Sequence, residues 1–165
     1  MSRTHPAGYS AAQIALHWAI AALIAFQLIF AEAMEEMVEA AEAGHPLTGT
    51  ASLMGDLHIV AGVTVLILAA IRLFLKLTRG TPEPNGFSWA AVRLAEGVHW
   101  LFYALMVAAP VSGLVAYYVS EAAAGPHKLM KPVFIVLILL HVVGALWHQM
   151  VARDATMRRM IAPSP

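Results

Sequence analysis

Histidine supplies most of the chemistry available to this chain. There are eight histidines and no cysteines among 165 residues, of which 60% are hydrophobic and only 12% charged. Without cysteine, disulfides, iron–sulfur clusters and thioether-attached haem are excluded. Imidazole is left to do one of two things, bind a metal centre or move protons near neutrality. Six histidines lie within or at the ends of apolar runs: His17, His58, His99, His127, His141 and His148. An ionisable side chain in such a run marks a functional site by default. His5 and His45 fall in polar segments and read as solvated.

The runs themselves read as membrane spans. They cover about 12–31, 57–77, 90–118 and 131–151, each near or above the ~20 residues that cross a bilayer as a helix. Soluble domains carry about a quarter charged residues, so the missing charge points to lipid as the solvent. The expected fold is all-α, an integral membrane four-helix bundle forming one domain over 1–165, with helices about 10–40, 55–79, 88–119 and 127–153. Pro110 and Gly113 predict a kink in the third helix. The acidic stretch AEAMEEMVEAAEAG is rich in helix formers and extends the first helix out of the membrane, with Gly44 and Pro46 to end it. Ala31-Glu32-Ala33 has the form of a signal-peptidase site, but the long apolar run and the histidine inside it argue against cleavage.

Orientation follows from the basic residues. With the N-terminus inside, the inner side receives Arg3, Arg72, Lys76, Arg79, Arg93, Arg153, Arg158 and Arg159, and the outer side only Lys128 and Lys131. Both termini are therefore expected in the cytoplasm. The net charge of zero gives no sign of a nucleic-acid partner.

Depth then sorts the histidines. His17 and His141 fall in the inner half, and His58 and His127 in the outer half. His127 and His141 are 14 residues apart, close to four turns, so they share a helix face about 21 Å apart along the axis. Two haems stacked through a membrane suit that rise, whereas the ligands of one bare ion must converge. A proton relay is the competing chemistry, but the middles of the spans hold no carboxylates to carry it. Gly62, Gly144 and Ala145 lie about a turn beyond these histidines, where small residues serve either a flat cofactor or close helix packing.

The segments QIALHW at 13–18, DLHIVAG at 56–62, RLFLKL at 72–77, VHWLFYALMVAAPVSGL at 98–114, HKLMKPVFIVLILLHVVGALWH at 127–148 and RDATMRRM at 153–160 form an ordered set over nearly the whole chain. In that set the chain resembles the bacterial cytochrome b561 family, related to the cytochrome b subunits of nickel–iron hydrogenases. The resemblance implies two haem b groups with bis-histidine ligation, His17 with His141 for the inner haem and His58 with His127 for the outer. It also implies a place in the bacterial inner membrane and electron transfer between an outer donor and ubiquinone or another quinone. The donor is superoxide in a superoxide oxidase-like reading, or a hydrogenase, dehydrogenase or soluble cytochrome if the chain is a relay subunit. One departure matters. Superoxide is drawn by positive charge, while Glu32, Glu35, Glu36, Glu39 and Glu42 crowd the first outer loop.

Supporting roles fall to a few further residues. Arg72 is 14 residues from His58 and is a candidate for the inner haem propionates, or a snorkelling boundary arginine. Lys128 and Lys131 are the equivalent candidates outside. Quinone reduction needs a proton donor beside an apolar pocket. His148, two turns beyond His141, and His99 are candidates, with Ser10 and Gln13 as polar neighbours; interfacial placement is the alternative for both histidines.

Overall fold

The structure, a computed structural model, describes residues 6–45, 49–82 and 89–163. Helix α1 spans Ala11–Ile29 and starts at a reciprocal cap. The Ser10 hydroxyl accepts the Gln13 amide N–H, and the Gln13 side-chain oxygen accepts the Ser10 N–H. These bonds satisfy amides that a helix start leaves without partners. Phe30 then leaves helical geometry at φ −104° and ψ 15°. The acidic stretch becomes a separate helix α2, Ala31–Glu42, rather than a continuation of the first. Helix α3 covers Thr50–Arg79, longer at its start than the apolar run suggests. The glycines that flank it, Gly49 and Gly80, take φ of 73° and 76°, which side chains disfavour. Helix α4 covers Trp89–Tyr118 with Pro110 inside it.

After a short 3₁₀ turn at Glu121–Ala123, helix α5 runs Ala124–Trp147. It passes through Pro132 without interruption, so His127 and His141 do belong to one helix. Its end widens into a single π turn, His148–Ala152, and Arg153 reverses the chain in the left-handed conformation at φ 49°. A last short helix α6, Thr156–Arg159, folds back, and the Trp18 indole N–H donates to the Met160 carbonyl at 2.9 Å. Gly44 also has positive φ, just beyond α2. His45 is exposed. Pro46 and His5 lie outside the described residues.

Four helical stretches are long and apolar enough to cross a bilayer: Ala11–Ile29, Ser52–Arg79, Trp89–Tyr118 and Glu121–Ala152. Their outer surfaces carry large exposed apolar side chains such as Ile67, Phe74, Val136 and Leu139, as lipid-facing helices do. The protein is an all-α multi-pass membrane bundle. Neighbours pack in the order α1–α3, α3–α4 and α4–α5, with α2 laid on α3. Among the described residues α5 makes at most slight backbone contact with α1 or α3. One buried cluster forms a layer: Ile20, Val65, Ala69, Leu105, Met106, Phe134 and Leu137. On α1, α3, α4 and α5 this layer lies between the two heights at which the histidines occur.

Candidate haem sites

Two histidine pairs face each other across the separations between helices. His17 on α1 and His141 on α5 have ring centroids 6.1 Å apart. His58 on α3 and His127 on α5 have centroids 6.2 Å apart. An imidazole nitrogen binds a metal at about 2 Å, so two rings sharing one metal place their centroids about 6 Å apart. Among the described residues no group of three or more histidines or carboxylates could hold a bare ion. A pair can cap an iron whose other four positions a macrocycle supplies, and each pair joins helices that stay apart. The residues therefore fit two haem groups.

At the His58 end the second ring nitrogen of His127 is already placed. Its Nδ1 lies 2.9 Å from the Ala109 carbonyl oxygen, to which it donates, and 3.3 Å from the Ser112 hydroxyl. That bond leaves Nε2 as the unprotonated nitrogen. Gly113 completes the seat, because a Cβ there would lie 2.9 Å from the His127 ring. Gly113 was expected only to bend α4, and Ala109 and Ser112 carried no expectation. Gly62 was read as serving either a flat cofactor or close helix packing, and a Cβ there would meet the Gln27 amide nitrogen at 3.1 Å. That amide donates to the His58 carbonyl at 2.8 Å. Lys128 reaches Glu35 of α2 at 3.4 Å. Met37 of the same helix is buried against Gly55 at the start of α3, so α2 is fastened beside this histidine pair. Lys131 is half-buried one turn beyond His127.

The other end is built from more elements. Rings of His99 and Phe102, both on α4, stand 5.5 and 5.6 Å from His141, and Trp18 meets His17 edge-on at 5.3 Å. Arg72 donates to the Gln13 carbonyl and is hydrogen-bonded to the Tyr103 side chain. It holds positive charge beside this pair. Burial raises the pKa of the Tyr9 hydroxyl, with Arg72 opposing. Lys76 lies over the rings of Trp100 and Tyr103 at 4.6 and 5.3 Å, a cation–π arrangement.

His148 has a carboxylate partner that the sequence reading did not name. Its Nδ1 is 2.7 Å from the Asp154 carboxylate, whose other oxygen accepts the Thr156 N–H at 2.8 Å. Burial opposes the charge on Asp154, but the Thr156 hydroxyl, His148 and the Thr156 amide overcome it and hold the carboxyl at about 2. Gln13 is buried and engaged on both sides, accepting from Ser10 and donating to the Gly80 carbonyl at 3.3 Å. The structure gives Ser10 and Gln13 a capping role.

An all-helical membrane bundle with two facing histidine pairs is the architecture of a b-type haem protein. The sequence model of the prokaryotic cytochrome b561 family matches residues 8–163, and the chain belongs to that family. It is 37% identical over 161 residues to a cytochrome b562 of Cereibacter sphaeroides, covering 97% of this chain and 99% of the relative. It is 25% identical over 179 residues to a probable superoxide oxidase, CybB, of Yersinia pestis, covering 93% and 95%. Membership makes this protein a membrane b-type cytochrome, and haem b its cofactor.

Proposed function

We propose that this protein is a two-haem cytochrome carrying electrons across a bacterial inner membrane, from a donor on the outer side to a quinone on the cytoplasmic side. The observation behind the reading is the pair of six-ångström histidine facings, each across a separation between helices that pack only slightly. His17 and His141 hold one haem, and His58 and His127 the other. Each haem, when bound, takes up and releases a single electron. The packed layer of Ile20, Val65, Leu105 and Phe134 keeps water from the path between the two heights.

The termini mark the cytoplasmic end, because eight basic residues collect there and two at the other end. Arg72 supplies charge for propionates of the His17–His141 site, and Lys128 and Lys131 for the other. Reducing a quinone to its quinol takes two electrons and two protons. His148, oriented by Asp154, and His99, beside His141, are the side chains able to hand protons to its oxygens. Ser10 and Gln13 support that end through the start of α1.

Two donors fit the outer end. Superoxide fits by likeness to the relative named as a probable superoxide oxidase. A cationic redox protein fits the charge, since Glu35 is fastened to Lys128 and four more glutamates line α2. That contact favours the relay reading. In quinone-loaded liposomes, quinone reduction is measured across ionic strength with superoxide and with a small basic reduced cytochrome as donors. A cationic donor loses rate as salt screens α2, by tenfold or so for a steered encounter. Superoxide faces no attraction to lose, so its rate holds or rises. Reduction with neither donor overturns the transmembrane reading.

A further inference from the structure

The two ligands assigned to the outer haem differ in what holds their second nitrogen. His127 gives Nδ1–H to a backbone carbonyl. His58 Nδ1 is buried and has no hydrogen-bond partner among the described protein groups. The Gln27 side-chain oxygen is also buried and also without a partner. These two orphans are of complementary type. When Nε2 of a neutral imidazole binds iron, Nδ1 must carry the proton and needs an acceptor. A glutamine oxygen is an acceptor with two lone pairs. The same Gln27 amide is tied through its nitrogen to His58's own carbonyl at 2.8 Å, so its oxygen cannot lie far from that residue. A buried polar group left unpaired loses its hydration without recompense, so closing one bond relieves both.

We infer that Gln27 is the positioning residue for His58, accepting its Nδ1–H while its own amide N–H stays on the His58 carbonyl. This rests on His58 serving as an axial ligand. Two functions follow for one side chain. The ring of His58 is fixed in rotation, and the hydrogen bond makes its Nε2 a stronger donor to iron, which favours the oxidised state. Gly62 belongs to the same device. It lies one turn after His58, and a Cβ there would press on the Gln27 nitrogen at 3.1 Å. Glycine at 62 therefore gives the amide room to stay where it is.

The test uses the full-length, haem-loaded protein. Gln27→Leu removes the acceptor, Gln27→Glu keeps an acceptor oxygen, and Gly62→Ala displaces the amide without removing it. Midpoint potentials come from a redox titration, and ligand-ring orientation from the low-spin ferric resonance spectrum. The expected result for Gln27→Leu is an upward shift of one midpoint of the two, with a changed resonance for that haem alone. Gly62→Ala is expected to move the same haem in the same direction by less. Gln27→Glu is expected to retain the ring-orientation signature of the parent. Unchanged spectra and midpoints in Gln27→Leu and Gly62→Ala, with both haems bound, overturn the inference. So does an equal shift of both haems. His58→Ala is measured alongside. If it keeps both haems, the ligand assignment fails, and if it loses one while Gln27→Leu is silent, only the role of Gln27 fails.

Discussion

An imidazole binds iron through a nitrogen that carries no proton, so the neighbour of its other nitrogen decides whether it is ready to bind. Ala109 does this for His127 with a main-chain oxygen, and Gly113 leaves the ring its space. Gly113→Ala forces a carbon to within 2.9 Å of that ring. Overpacking of this kind costs about 1–3 kcal/mol. The expected outcome is partial loss of one haem, read as haem per chain, with the other retained. The histidines were legible in the sequence because a titratable side chain stands out in an apolar run. Their acceptors were not. Ala109 acts through its backbone, which no residue type announces. Gln27 is one of several polar residues in its span, and its partner lies 31 positions away on another helix.

Elements explain both what sequence patterning foresaw and what it missed. Four spans follow directly from apolar length, and the unbroken course of α5 through Pro132 puts His127 and His141 on one rod. The break at Phe30 had no glycine or proline to signal it. Yet it is what directs α2 onto α3 and brings Glu35 to Lys128. The end of α5 was equally hidden. A π turn followed by a left-handed Arg153 shifts the register so that Asp154 returns to His148. Such irregularities are uncommon and gather at functional positions. The hook also has a pH signature. Asp154 is depressed from its ordinary 3.8 to about 2 in the folded protein. Stability from this contact is therefore complete above about 4 and is lost as pH falls toward 2. Proteolysis at Arg158 and Arg159, followed down that range, is expected to accelerate there, and Asp154→Asn to be cleaved faster already at neutral pH.

At the scale of the whole molecule, the two histidine pairs lie on either side of a packed apolar layer. Helix α5 carries one histidine of each pair. It leans on α4 and reaches α1 and α3 at most slightly in backbone terms, so, on the proposed two-haem reading, a bulky flat group at each height would help tie the bundle together. The most direct test is a haem count on the purified protein, with reduced-minus-oxidised spectra of the parent, His141→Ala and His127→Ala. The expected result is two haems per chain in the parent, with each variant keeping one and losing a different one. One haem in the parent, or both variants losing the same haem, would contradict the two-site assignment.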